Sequence, residues 1–174
     1  MRVITALTIA AFVAAPVGAQ QVANRAWTLS AGPMGFDGSG TGSTTVYGLS
    51  ASQTLPWHWF AVEGSLGYAG LDEQFSGSLT HLGIAELQAQ VQWPARLVRP
   101  YIGVGGGFIH YFTEAGGRRA TEPSVALGAG LRAALTDAWG LRVDGRVRGW
   151  EFAHATDWAV NTTAEVTLGI TRRF

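Results

Sequence analysis

The chain has 174 residues, no cysteine and no lysine, and its twelve arginines balance twelve carboxylates. That balance offers no general nucleic-acid footprint, and a chain without cysteine has to fold without disulfides. Hydrophobic residues make up 47% of it and charged residues 14%, yet no stretch supplies the ~20 consecutive apolar residues of a membrane-spanning helix.

In chain order, Arg2 comes first, then apolar Val3 to Ala15, then the small residues Val17-Gly18-Ala19. These are the charged, hydrophobic and cleavage regions of a secretory signal. They predict a signal peptide over 1–19 and one domain over 20–174. About 155 residues remain, room for about eight strands and their connections.

From there apolar and polar residues alternate with period two, which predicts strands near 26–35, 44–55, 58–70, 78–92, 99–112, 123–135, 140–151 and 161–174. One face of each is apolar: Trp27 and Leu29, Tyr47 and Leu49, Val62 and Leu66, Leu87 and Val91, Ile102 and Val104, Leu127 and Leu131, Leu141 and Val143, Leu168 and Ile170. The opposite face is polar or small, as in Glu86, Gln88 and Gln90, or Gly128, Gly130 and Arg132. Without a spanning helix, a closed barrel is the fold that satisfies every backbone group in lipid. The expectation is an all-β protein, an eight-stranded antiparallel up-and-down transmembrane β-barrel with a polar, ion-paired lumen.

The aromatic residues supply a second, independent pattern. Trp27, Trp57, Trp59, Trp93, Trp139 and Phe174 fall at one set of strand ends, and Tyr68, Phe112, Trp150 and Trp158 fall towards the other. Amphipathic rings gather at membrane interfaces in this way. The alternative is a soluble exported barrel that turns its apolar face inward.

Arg99-Pro100-Tyr101-Ile102-Gly103-Val104-Gly105-Gly106-Gly107-Phe108 and the terminal Val166-Thr167-Leu168-Gly169-Ile170-Thr171-Arg172-Arg173-Phe174 resemble the small outer-membrane β-barrel family that includes opacity-type surface proteins and the OmpA membrane domain. The resemblance implies location in the bacterial outer membrane, insertion by the barrel-assembly machinery, and contact with outer-membrane lipids and lipopolysaccharide. Arg172 departs from the family's ending, which has an apolar or aromatic residue there. With both termini in the periplasm, the connections over 35–43, 70–77, 113–122 and 152–160 become surface loops, and the turns at 56–57, 94–99 and 136–139 face the periplasm. A monomer is expected.

The inward face carries the charges. Folding the third and fourth strands about the centre of their loop sets Glu63 opposite Glu86, a like-charge pair that needs a cation. In a barrel of about eight strands the seventh lies across from the third. Arg142, Arg146 and Arg148 are therefore expected to reach Glu63 and Glu86, Arg132 to pair with Asp144, and Glu165 to pair with Arg146 or Arg148. Such a network would plug the lumen.

Other constellations are thinner. His81 and His110 share the outward face of neighbouring strands, with Glu114 or His154 as a further ligand, but two histidines do not make a structural metal site, and no metal or cofactor is assigned. His154, Thr156 and Glu165 resemble a lipid A deacylase triad only loosely, so no catalytic residue is named and an enzyme is not expected. Gly103 to Gly107 lacks the third glycine of a dinucleotide fingerprint and sits inside a strand. Asn161-Thr162-Thr163 matches a glycosylation sequon that has little meaning in a bacterium. The expected role is structural or surface interaction: envelope integrity, or lipopolysaccharide or an external partner met through the loops, with Arg118 and Arg119 as surface contacts. A small gated porin-like channel and a lipid-modifying hydrolase are the alternatives, and no nucleic-acid partner is expected.

Overall fold

The period-two alternation becomes a closed wall in the computed structural model, which describes residues 25–37, 43–71, 80–95, 97–113, 120–154 and 157–174. Eight strands follow one another: β1 (Arg25–Asp37), β2 (Ser43–Thr54), β3 (Phe60–Leu71), β4 (Thr80–Gln92), β5 (Val98–Thr113), β6 (Ala120–Ala134), β7 (Trp139–His154) and β8 (Asp157–Arg173). Each pairs antiparallel with the next, and β1 closes on β8 with Leu29 opposite Ile170. No strand is left with an open edge, so the backbone is satisfied without water. No helix among the described residues is long and apolar enough to cross a membrane.

The direction of the side chains decides between the two kinds of barrel. Leu29, Leu127 and Leu168 are 68%, 66% and 62% exposed, whereas Glu63, Gln88 and Arg142 are 1%, 1% and 3% exposed. A soluble barrel would reverse that order. Exposed leucines around a buried ionic interior are stable only where the surroundings are hydrocarbon.

Several element ends differ from the expected ones. β3 starts at Phe60, because His58 adopts a left-handed backbone with φ 60° and closes the β2–β3 turn, where the Leu55 N–H donates to the Phe60 carbonyl at 2.8 Å. At the opposite end, pairing continues to Tyr111 with Ala120 and to His154 with Asp157. Much of the connection expected over 152–160 is therefore strand. β5 to β8 have 15 to 17 residues where β1 to β4 have 12 or 13. All exceed the ~9–11 residues that cross a bilayer, and at the end away from the termini the β7–β8 hairpin continues to His154 and Asp157 beyond the last pairing of β1, Asp37 with Thr162.

The lumen is polar and ion-paired as expected, and it carries a second, apolar tier as well. Near the end that carries the termini it is charged. Towards the long connections, inward positions carry Met34, Val46, Ala69, Leu82, Ile84 and Ile109, all no more than 4% exposed, with Phe36 and Tyr111 packed against them. This apolar tier adjoins the ionic tier along the same inward faces, as on β4, where Leu82 and Ile84 precede Glu86 and Gln88.

Candidate functional site

The ionic tier is built by alternate residues of β7 facing β3 and β4 across the barrel. Arg142, Asp144, Arg146 and Arg148 all point inward and are 3%, 3%, 6% and 3% exposed. Glu63 on β3 is the hub. Arg142 reaches it through two contacts of 2.5 and 2.9 Å, Arg146 through one of 2.7 Å, and Arg132 through one of 3.2 Å. Arg146 and Arg148 then share Glu86 at 3.0 and 2.8 Å, and Arg148 also meets Glu165 at 2.8 Å. Asp144 lies between Arg146 at 2.7 Å and Arg142 at 3.3 Å.

The structure thus brings Glu63, Glu86, Arg132, Arg142, Asp144, Arg146, Arg148 and Glu165 into one assembly. Four guanidinium groups face four carboxylates, so the network is neutral. Neutrality decides whether such a group can be buried at all, because one unmatched charge away from water costs several kcal/mol.

Two pairings differ from expectation. Glu63 stands opposite Gln88, and Ser65 stands opposite Glu86. The β3–β4 register is shifted by two residues from a fold about the centre of the loop, which separates the two acids along the barrel and lets Arg146 bridge them. Arg132 does not pair with Asp144. Its cross-strand neighbour is Arg142, and like charges turn it towards Glu63 and the side-chain oxygens of Gln90 and Gln92, at 2.5 and 3.0 Å.

Tyr101 completes the site and was not singled out from the sequence. It is 3% exposed, donates its hydroxyl proton to Asp144, and accepts from Arg142 Nε at 2.7 Å. Arg132 and Arg142 lie 4.3 and 5.0 Å from its ring centre, where the ring face attracts cations. Its strand parity with Gly103 and Gly105 was the available signal. The glycines opposite make the room: a side chain at Gly128 would collide with Gln88, and one at Gly130 would collide with the Tyr101 hydroxyl. Gly103 likewise lies against Gln88, and Gly105 and Gly107 lie against the backbone of β4, so close packing accounts for these inward glycines of β5.

At the end that carries the termini, Trp27, Trp57, Trp59, Trp93, Trp139 and Phe174 are all on the outside and 37% to 69% exposed. Trp59 meets Trp93 edge-on at 5.2 Å. Arg172 lies 5.6 Å from the Trp139 ring centre and 5.5 Å from that of Phe174, so the ring faces hold the one charge that breaks the apolar ending. Arg118 and Arg119, together with Glu114 and Thr156, lie outside the described residues, and the side chains of Trp150, His154 and Trp158 are likewise not described.

His81 and His110 do face outward, but they are not opposite one another: His81 faces Phe112 and His110 faces Gly83. Each ring has its own partner, Tyr68 for His81 and Thr121 for His110, both at 2.6 Å. Among the described residues, no group of three or more His, Cys, Asp or Glu side chains could hold a metal.

Three solved barrels show how widely this architecture is shared. Neisserial surface protein A superimposes with a TM-score of 0.72 at 13% identity, covering 87% of this chain and 97% of its own. Ail, the attachment invasion locus protein of Yersinia pestis, gives 0.54 at 15% identity over 86% and 98%. The outer membrane enzyme PagL gives 0.56 at 15% identity over 82% and 97%. At such identities the likeness is one of fold. No curated protein matches the chain by sequence. The family described as outer membrane protein beta-barrel domain matches residues 3–174. With that match across nearly its whole length and a wall that turns leucine to its surroundings, the chain belongs to this family and lies among the lipids and lipopolysaccharide of the bacterial outer membrane.

Proposed function

We propose that the protein is a plugged outer-membrane barrel that acts through its surface, supporting the envelope and meeting lipopolysaccharide or an external partner at the loop end. The observation that carries this reading is the neutral network of four arginines and four carboxylates, adjoined by the apolar tier. A conducting pore needs a continuous hydrated path. Here Glu63 and Arg142 hold the centre of the lumen almost fully buried.

In this reading both termini are periplasmic, residues 1–19 are the export signal, and the barrel-assembly machinery inserts a monomer. The extended β7–β8 hairpin then lies on the cell's outside. Arg118 and Arg119 between β5 and β6 would meet lipopolysaccharide phosphates through charge-assisted hydrogen bonds. Catalysis is not part of the proposal. Glu165, the acid of the loose triad, faces the lumen and is bound to Arg148, while an acyl chain would approach from the lipid side.

The test is a deletion strain examined for envelope permeability and lipid A acylation, with the purified protein in planar bilayers. Increased permeability, unchanged lipid A and no large steady currents are expected. Large stable currents would refute the plug, and altered acylation would restore the hydrolase reading. Small intermittent currents that change with Glu63→Gln would point to a gated channel.

A further inference from the structure

The network is neutral, but the mouth beneath it is not. At the end that carries the termini, a recess opens among Arg25, Arg99, Arg132 and Arg173, lined also by side chains such as Ser52 and Thr171, and no Asp or Glu among the described residues lines it. Of these cations, Arg132 shares its charge with Glu63 at 3.2 Å. Arg99 and Arg173 do not meet a carboxylate among the described residues. Arg99 Nε donates to the Ala95 carbonyl at 2.9 Å, and Arg173 Nη2 donates to the carbonyls of Thr136 and Trp139. Those acceptors orient a guanidinium group without neutralising it. Arg173 Nε is buried and meets no acceptor among the described residues.

The chain is poorly placed to supply the missing charge itself. Its first acidic residue is Asp37, so the segment before Arg25 brings none. The terminal Phe174 is held beside Arg25, to whose carbonyl its N–H donates at 2.9 Å. The demand for an anion therefore rests on Arg99 and Arg173.

We propose that this mouth is a binding site for a phosphate group. Guanidinium forks match the oxygens of a tetrahedral oxyanion in geometry as well as charge, and the Ser52 hydroxyl adds a neutral donor. The site lies at the opposite end from the loops and is independent of the surface role. The phosphate could be free, or it could be a phospholipid headgroup bent over the rim from the inner leaflet.

Inorganic phosphate titrated into the full barrel in dodecyl maltoside micelles, which carry no phosphate, and followed by calorimetry at constant ionic strength, tests the site. Saturable binding of one phosphate per barrel is expected. The double substitution Arg99→Gln with Arg173→Gln should weaken it at least about tenfold, as for loss of a charge-assisted hydrogen bond. Arg172→Gln, on the outer rim, should leave it unchanged. Heat-modified gel mobility shows whether each variant has folded, and Arg99→Gln alone serves if the double variant does not. Repeating the titration with phosphatidylglycerol separates the sources: binding retained means free phosphate, and binding lost means that the headgroup occupies the site. Absence of saturable binding in the phosphate-free micelles, or equal binding by the folded variants, would overturn the proposal.

Discussion

Glu63→Gln is the sharpest perturbation of this barrel. Glu63 is 1% exposed and receives Arg132, Arg142 and Arg146 at 3.2, 2.5 and 2.7 Å. At ~3 Å and an effective dielectric near 20, each contact is worth about 5 kcal/mol before desolvation is subtracted, and desolvation removes most of it. Glutamine keeps the shape and one acceptor oxygen but removes the charge. Four arginines would then face three carboxylates. Breaking a buried pair in this way costs about 3–5 kcal/mol. Arg142→Gln added to it restores the balance, so the double variant should lose about 2–3 kcal/mol less than the sum of the singles. Urea unfolding in phospholipid vesicles, followed by tryptophan fluorescence and by gel mobility, gives all three values. A single-variant cost under about 1 kcal/mol, or singles that add within about 0.5 kcal/mol, would refute a neutral network organised around Glu63.

Three further outcomes follow from the same geometry. Gly130→Ala should cost about 1–3 kcal/mol, since its new carbon would meet the Tyr101 hydroxyl and the Val143 carbonyl, whereas Gly64→Ala, with nothing within 4 Å of the added atom, should stay within about 0.5 kcal/mol in the same unfolding assay. Tyr101→Phe leaves Asp144 and Arg142 each short of a hydrogen bond, a loss of about 1–3 kcal/mol that should appear as a lower urea midpoint with unchanged mobility of the folded band. Leu87→Arg, at a position 62% exposed on the outer wall of β4, should cost about 2–4 kcal/mol in a bilayer, and a cost near zero would place that wall in water.

The identity of the site residues was legible because strand parity is local. Once Leu141 and Val143 are taken as facing lipid, Arg142, Asp144, Arg146 and Arg148 must face the lumen, whatever the neighbouring strands do. Met34, Leu82 and Ile109 show where this reading fell short. Their parity put them inside, but an apolar residue in an apolar-rich strand gives no signal that it faces inward, and the second tier of the lumen passed unnoticed.

The sequence by itself determined the number of strands, the face each turns to lipid, the aromatic rim that ends at Phe174, and the set of charges that shares the lumen. All of these depend on the repeat of one strand and on interfacial chemistry. Only the tertiary structure decided who meets whom. The β3–β4 register placed Gln88, not Glu86, opposite Glu63, and ring closure paired Arg132 with Glu63 and not with Asp144. Register is a property of two strands, and a contact across the lumen depends on the registers of all the strands between. Small shifts in those pairings add up around the ring, and long arginine side chains then choose among acids at several heights.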